Sequence, residues 1–137
     1  MPFECRIPVR FGDIDIAKIV YYPRFLHFCH VAMEELFGAV IGVPYHETVL
    51  REKVGYPTVK AEAEYLEPVG FGETIRMLVT AEHVGGSSVR LRYEGHRMSD
   101  GLLAFRVRNT CVAVDMDAWK SIPIPAHHRA GFESLLA

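Results

Sequence analysis

Only one segment of this chain has the residue spacing of a long helix, and this limits how the rest can fold. From Phe25 to Val40 the apolar residues recur at spacings of three and four, which is typical of one helix face. Pro23 stands just before this run and suits the first turn of a helix, because the N–H that proline lacks would be unpaired there anyway. Gly38 and Gly42 mark the expected end. We therefore predict one helix of about four to five turns.

Nearly all the remaining regular segments alternate with period two, which predicts strands. The first run places Phe3, Cys5, Ile7, Val9 and Phe11 on one side, and Pro8 within it indicates the edge of a sheet. Four further runs follow Gly55, over residues 59–65, 75–82, 89–94 and 103–114, with Gly-, Pro- and Ser-rich turns between them. Short connections predict that these four strands pair in sequence as a meander.

A sheet with one apolar face must cover that face, and only one long helix is available to do so. The predicted fold is therefore α+β, a curved antiparallel sheet of five to six strands wrapped around one long central helix, which is the hotdog arrangement. A shorter piece, helical or irregular, is expected over residues 45–53, and one short helix within residues 125–137. The 137 residues show no repeat, linker or shift in composition, so we expect one domain over residues 1–137.

Charge and composition exclude several classes of partner. The formal net charge of −2 provides no electrostatic reason to bind nucleic acid or an anionic membrane. No apolar run has membrane-spanning length and no secretory leader is expected, so we predict a cytoplasmic protein with reduced, packed cysteines. A patch for a smaller anion is conceivable from five arginines, Arg90, Arg92, Arg97, Arg106 and Arg108.

The segment from residue 11 to residue 23 has the composition of an active site. Asp13 and Asp15 stand immediately ahead of the predicted helix, whose unpaired N–H groups favour an oxygen that becomes negative. A carboxylate at that position can serve as general base or nucleophile while the amides receive the oxyanion. The alternative is that both aspartates only cap turns, as aspartates often do.

Phe11 to Phe25 resembles the active-site motif of the 4-hydroxybenzoyl-CoA thioesterase family, a group of hotdog acyl-CoA thioesterases. The resemblance continues through residues 55–59, 65–68 and 86–89. It implies hydrolysis of a small aromatic or short- to medium-chain acyl-CoA to the free acid and CoA. No metal and no cofactor is expected, since coenzyme A is part of the substrate.

The resemblance also implies roles for individual residues. Asp15 occupies the position of the family's catalytic carboxylate, and Asp13 occupies a supporting position. Tyr22 occupies the position whose backbone N–H polarises the thioester carbonyl. Lys18 stands where the family often has glycine; its ammonium could lower the pKa of Asp15, reach a phosphate or point to solvent. The expected substrate-binding residues are Val20 and Tyr21 beside the helix, Thr58 and Val59 across a dimer interface, and Ser87 and Ser88 at the coenzyme A arm.

Exposed strand edges and the resemblance together predict a homodimer, and a homotetramer built as a dimer of dimers. Two other functions stay open: a thioesterase acting on acyl carrier protein, and a non-catalytic hotdog protein that binds acyl thioesters. His27, His30 and Glu34 share one helix face and could bind a metal, although such a set is more often a solvated face.

Overall fold

The computed structural model describes residues 1–137 and places a long helix at the centre of the molecule. Helix α1 spans Pro23–Leu36 and continues as one π-helical turn over Phe37–Ile41. It ends at Gly42, whose φ of +89° is the left-handed conformation that glycine adopts without steric cost. The buried face of α1 consists of the predicted apolar stripe together with Met33: Phe25, Phe28, Cys29, Ala32, Met33 and Leu36. The predicted helix is confirmed.

Five long antiparallel strands form the sheet around this helix. In chain order, the eight strands are β1 Phe3–Pro8, β2 Val54–Gly55, β3 Thr58–Tyr65, β4 Thr74–Val84, β5 Ser88–Arg97, β6 Leu103–Val112, β7 Val114–Asp115 and β8 Lys120–Ser121. The main sheet has the order β1-β4-β5-β6-β3, and a small second sheet has the order β2-β7-β8. Helix α1 contacts both β1 and β6, so the sheet curves around it and the predicted α+β hotdog architecture is confirmed.

Two short helices complete the fold, and both fall in the segments where they were expected. Helix α2 spans Tyr45–Leu50 and helix α3 spans Ala126–Glu133. None of the helices combines the length and the hydropathy that crossing a bilayer requires.

The predicted order of strand pairing is wrong for β3. Strand β4 pairs with β5 on one side and with β1 on the other, so it has no edge left for β3. Strand β3 pairs instead with β6 and becomes the far edge of the sheet. Only β4, β5 and β6 form a meander, while Pro8 lies on the opposite edge strand as predicted.

The predicted alternation also fails at two positions. Strand β1 ends at Pro8, and Phe11 lies in a short 3-10 turn with 73% of its surface exposed, rather than on the apolar side of the strand. In β3, the register changes from Thr58 opposite Cys111 to Lys60 opposite Thr110, which makes Val59 the extra residue of a bulge. The bulge removes Val59 from the face that it was predicted to share with Ala61.

A buried polar cluster holds α3 against the loop after α2. His128 is fully buried, with Nδ1 2.7 Å from the Tyr56 hydroxyl and Nε2 2.9 Å from Glu52 Oε1. Burial lowers the pKa of His128, against the opposing effect of Glu52. Burial also works against ionisation of Glu52, but hydrogen bonds from His128 and His127 outweigh it and lower the pKa of that carboxyl. A neutral imidazole therefore bridges a phenol and a carboxylate.

The close approach of two central strands provides a stability test. Gly95 on β5 lies opposite Phe105 on β6, and a Cβ built on Gly95 would collide with the Phe105 ring. We expect Gly95→Ala to lower the free energy of unfolding by about 1–3 kcal/mol, the usual cost of overpacking. Gly86→Ala is the matched control, because a Cβ there meets no atom within 4 Å. Urea unfolding at equal protein concentration should separate the two variants, and equal stabilities would contradict this packing.

Candidate active site

The loop between β1 and α1 folds back on itself, and the side chains of its two aspartates differ in hydrogen bonding and in exposure. The N–H of Tyr21 donates to the Asp13 carbonyl at 2.9 Å, and the N–H of Asp15 donates to the Ile19 carbonyl at 3.0 Å. These bonds close a tight hairpin-like loop with residues 16–18 exposed at its tip. The N–H of Val20 donates to the Val69 carbonyl at 2.8 Å, which ties the loop to the connection between β3 and β4.

The Asp13 side chain is a structural brace. Its Oδ2 accepts the Arg10 N–H at 2.8 Å, and its Oδ1 lies 3.9 Å from Arg24 Nε in the first turn of α1. Only 13% of the side chain is exposed. The carboxylate therefore connects the end of β1 with the start of α1, so the turn-capping alternative describes Asp13 well.

Asp15 has a free carboxylate oxygen. Its Oδ1 accepts the Ala17 N–H at 2.8 Å, which fixes the orientation of the side chain, while Oδ2 makes no hydrogen bond. Asp15 is exposed, so water or a carbonyl compound can reach the free oxygen. One oxygen orients the group and the other is available for chemistry.

One backbone N–H at the start of α1 is unpaired. The N–H of Arg24 donates to the Tyr21 carbonyl at 2.8 Å, and that of Phe25 donates to the Tyr22 carbonyl at 3.2 Å. Pro23 has no N–H. Tyr22 is exposed and its N–H has no acceptor, so this amide, at the positive end of the helix dipole, can donate to a bound anion or carbonyl.

Two apolar clefts lie along the gap between α1 and β3. The helix-start cleft has a volume of about 480 Å³ and lies beside the free amide; it is lined by Ile19, Val20, Tyr22, Phe25, Tyr65, Leu66, Glu67, Pro68 and Val69. The β3 cleft has a volume of about 460 Å³; it is lined by Leu26, Cys29, His30, Met33, Tyr45, Tyr56, Pro57, Thr58, Ala61, Tyr93, Val107 and Asn109. The inner face of β3 thus contributes to both clefts.

The structure brings together one group of predicted site residues and leaves a second group elsewhere in the protomer. Asp13, Asp15, Val20, Tyr21 and Tyr22 share the loop and the start of α1. The second group comprises Thr58, Val59, Ser87 and Ser88. Thr58 lines the β3 cleft, whereas Val59 is 62% exposed and lines neither cleft.

The strand register shows how far apart the two groups lie. Pro8 pairs with Thr74, so the aspartate loop sits at that end of β4, whereas Ser87 and Ser88 follow the other end. Ten residue steps along β4 amount to about 30 Å at about 3.3 Å per residue. Thr58 shares the serine end, because it pairs with Cys111 and Cys111 pairs with Val89. Within one protomer the two groups cannot contact a common small ligand.

Lys18 occupies a backbone conformation that explains why a glycine suits this position. Its φ is +70°, and its N–H donates to the Asp15 carbonyl at 2.9 Å. Lys18 is exposed and its ammonium forms no ion pair with Asp15. Of the three roles considered for this ammonium, the structure supports solvent exposure.

The five arginines do not form an open patch for an anion. Arg92, Arg106 and Arg108 pair on the outer face of the sheet with carboxylates of Glu64, Glu82 and Glu94, and Arg97 pairs with Asp100. Only Arg90 of the five is without an ion pair. It is exposed near the start of β5, close in sequence to Ser88.

No cysteine has the character of a nucleophile. Burial, reinforced by the neighbouring Glu35, raises the pKa of Cys5 to about 12. Burial also raises the pKa of Cys29 and of Cys111. Since the thiolate is the reactive form, these cysteines are packed, unreactive side chains, as expected.

The three metal-ligand candidates on α1 do not converge. His30 Nε2 lies 3.5 Å from Glu34 as an exposed pair, while His27 lines a separate surface cleft with Arg10 and Asp13. This arrangement is the solvated helix face considered in the sequence analysis.

Sequence reasoning missed Asn109, which lines the β3 cleft opposite Ala61. Asn109 is an uncharged polar residue within the largely apolar final strand, and this is the signal that could have identified it. Its partner Ala61 faces the same open cleft, because β3 is an edge strand.

Comparisons with known proteins agree on one family. The family model for the thioesterase-like superfamily matches residues 9–132 of this chain. A 1,4-dihydroxy-2-naphthoyl-CoA hydrolase from Microcystis aeruginosa is 28% identical over 99% of this chain and 96% of its own length. A thioesterase-superfamily structure from Jannaschia sp. CCS1 aligns with a TM-score of 0.91 at 28% identity, covering 99% of this chain and 94% of that one. A 1,4-dihydroxy-2-naphthoyl-CoA thioesterase from Synechocystis shares the fold, with a TM-score of 0.89 at 21% identity over 98% of each chain.

The different hydrogen bonding of the two aspartates leads to a stability test. Asp13→Ala removes a partly buried brace, and we expect it to lower the free energy of unfolding by about 1–2 kcal/mol. Asp15→Ala removes a single exposed hydrogen bond, so its effect should stay within about 0.5 kcal/mol. Urea unfolding of both variants beside the wild type measures the difference. A larger loss for Asp15→Ala than for Asp13→Ala would contradict the assignment of Asp13 as the brace.

Proposed function

The chain belongs to the thioesterase-like superfamily and is a thioester hydrolase, and we propose that it cleaves an acyl-CoA with Asp15 as the catalytic residue. One observation carries the proposal. A carboxylate with one free oxygen stands in the loop that leads directly to the unpaired Tyr22 N–H. A reactive carboxylate and an oxyanion donor are the two groups that acyl transfer requires from a protein.

The proposed reaction begins with the thioester carbonyl accepting a hydrogen bond from the Tyr22 N–H. In one route, Asp15 takes a proton from water as the water oxygen attacks the carbonyl carbon. The tetrahedral intermediate then expels the CoA thiolate, which takes up that proton. In the other route, Asp15 itself attacks, the thiolate leaves, and water hydrolyses the mixed anhydride. Both routes give the free acid and CoA, and neither calls for a metal or redox cofactor.

A single-turnover reaction in ¹⁸O-labelled water tests for attack by Asp15. Attack by Asp15 followed by hydrolysis at the carboxyl carbon of Asp15 leaves one heavy oxygen in the Asp15 carboxylate, which peptide mass spectrometry detects. Activation of water by Asp15, like hydrolysis of the anhydride at the acyl carbon, leaves the protein unlabelled, so a labelled Asp15 identifies the nucleophilic route.

We propose an aromatic acyl group as the substrate class. Phe25 and Tyr65 lie in the helix-start cleft with ring centroids 5.5 Å apart, and Tyr22 packs edge-on against Tyr65 at 6.1 Å. Flat aromatic walls favour a flat acyl group by offset or edge-to-face contact. The Microcystis relative, named for a naphthoyl-CoA substrate, supports the same class.

A thiol-release assay with naphthoyl-, hydroxybenzoyl-, butyryl- and octanoyl-CoA tests this substrate class. The aromatic thioesters should give the higher kcat/KM. Faster release from the aliphatic substrates would favour the short- to medium-chain alternative, and preference for the same acyl group on acyl carrier protein would favour the carrier-protein alternative. Tight binding without turnover would instead identify a non-catalytic binder.

We propose that the complete site lies between two protomers of a homodimer. All residues of β3 are exposed, and as an edge strand β3 offers unpaired N–H and C=O groups to a second copy. Thr58, Ser87 and Ser88 lie at the opposite end of the sheet from the aspartate loop of their own chain, about 30 Å away along β4. A two-fold partner can bring its own copies of these residues to that loop, and Arg90 beside them is free to meet a CoA phosphate. Light scattering should then give a dimer, or a tetramer if two dimers associate.

The catalytic role of Asp15 is tested by Asp15→Asn, which retains the shape of the side chain and removes its basicity. We expect kcat to fall by at least about a hundredfold, the lower end of the range for acid–base catalysis. Asp13→Asn is the matched control and should affect kcat less, because Asp13 braces the loop. Circular dichroism and light scattering should show both variants folded and assembled as wild type. Near wild-type turnover in Asp15→Asn would refute the assignment.

Mixing two inactive variants tests the shared site. Asp15→Asn damages one half of each site, and Thr58→Trp fills the β3 cleft of the other half. After random exchange about half of the dimers are mixed, and each has one site with both halves intact. Activity should therefore recover to about a quarter of the wild-type value. Glu62→Trp is the matched control. It places the same side chain on the outer face of the same strand, so this variant should be active by itself.

Each homodimeric variant is first shown to be folded, dimeric and inactive, and native mass spectrometry confirms exchange. Recovery of no activity after confirmed exchange would mean that each site is built within a single chain.

A further inference from the structure

Three metal-ligand side chains converge where α3 meets the loop after α2. His127 and His128 are consecutive residues in the first turn of α3, and both imidazoles point to Glu52. His127 Nε2 lies 3.3 and 3.2 Å from the two Glu52 oxygens, and His128 Nε2 lies 2.9 Å from Oε1. The donor atoms of all three residues lie within 4.8 Å of one another.

We propose that Glu52, His127 and His128 bind one Zn²⁺ ion, which links the start of α3 to the loop after α2. The donor set indicates the class of ion. Two imidazoles and one carboxylate suit zinc and neighbouring transition metals, whereas magnesium and calcium prefer a shell made only of oxygen. Three protein ligands leave the fourth position of a tetrahedral ion to water, and that side is open because half of the His127 side chain is exposed.

The spacing of the donors fits this ion without a large rearrangement. Zinc bonds to imidazole nitrogen and carboxylate oxygen are about 2.0–2.2 Å long, so neighbouring ligand atoms around a tetrahedral ion lie about 3.3 Å apart. The measured separations between Glu52 and the two histidines, 2.9 to 3.3 Å, are close to that value. An ion would take the place of the proton that now joins each histidine to Glu52.

Tyr56 holds the ring of His128 in place through the nitrogen that would not bind the ion, as metal-binding histidines need. Its hydroxyl lies 2.7 Å from Nδ1 of His128, the ring nitrogen that does not face Glu52. When the ion takes Nε2, the single ring proton is carried on Nδ1 and is donated to the Tyr56 oxygen, while the Tyr56 hydroxyl proton turns away from the ring and stays on the phenol. Because His128 is fully buried and packed beside Phe37, its ring cannot swing away.

The proposed zinc site lies near the end of the central helix, far from Asp15 of the same chain, and meets the β3 cleft only through Tyr56. A Cβ on Gly131 of α3 would contact Ile41, so α3 packs against the end of the central helix, while Asp15 precedes its start. The nineteen residues from Pro23 to Ile41 span about 28 Å at 1.5 Å per residue. The ion therefore acts as a structural link for α3, and its binding can be measured without any assay of hydrolysis.

The test uses the full-length protein, freed of metal with a chelator and then titrated with ZnCl2 or CoCl2. Equilibrium dialysis with elemental analysis should give one ion per chain, and bound Co²⁺ should show the intense visible absorption of a tetrahedral site. Saturating Zn²⁺ should raise Tm by about 5 °C or more, because an ion that binds only the folded state stabilises it.

His127→Ala is the main variant, because its exposed side chain can be removed without disturbing the core. It should weaken Zn²⁺ binding by at least about tenfold and abolish the rise in Tm. His30→Ala is the matched control, since His30 is also an exposed histidine beside a glutamate but lacks a third ligand. This control should bind Zn²⁺ as the wild type does.

Tyr56→Phe retains the ring and removes the hydroxyl that contacts His128 Nδ1, so it should weaken Zn²⁺ binding by about tenfold. Less than one ion per two chains at saturating Zn²⁺, or equal binding by wild type and His127→Ala, would overturn the proposal.

Discussion

The packing of one apolar helix face into the concave side of a five-stranded sheet determines the rest of this structure. Phe25, Phe28 and Leu36 of α1 are buried against inward-facing side chains of the sheet, of which Ile75, Met77 and Val79 are fully buried. Because the sheet must surround the helix to cover this face, β1 and β3 become its two edges. The start of α1 is then held beside the loop that follows β1, and this one segment carries the two aspartates and the free amide.

The different roles of the two aspartates follow from the groups that their side chains contact. Asp13 is held by the Arg10 N–H and the Arg24 guanidinium, which fixes the loop on the first turn of α1. Asp15, two residues later, retains a free oxygen. A rigid support with a free group at its end is what a preorganised site needs, since the catalytic group then requires little reorganisation before it reacts. In the proposed mechanism the catalytic residue therefore depends on the brace.

The edge strand β3 connects fold and function. Helix α1 reaches it through the contact between Phe25 and Tyr65, and the inner face of β3 lines two apolar clefts and stays outside the buried core. Its outer edge offers backbone groups for pairing, and its bulge at Val59 turns Thr58 toward the β3 cleft. The charged side chains of β3 pair on the outer face of the sheet, so its inner face is the apolar one. The same strand thus supports both the proposed dimer and the proposed substrate site.

The sequence by itself determined the central helix, its start at Pro23 and end at Gly42, the strand segments, and the aspartate loop ahead of the helix. These features depend on residues close together in the chain, whose periodicity and turn chemistry are readable locally. Only the tertiary structure decided that β3 pairs with β6, that Val59 forms a bulge, and that Thr58 and Ser88 lie far from Asp15. It alone also brought Glu52 to His128, 76 residues away. Such contacts depend on which strand edges remain free and on how the whole core packs, and no local pattern encodes either.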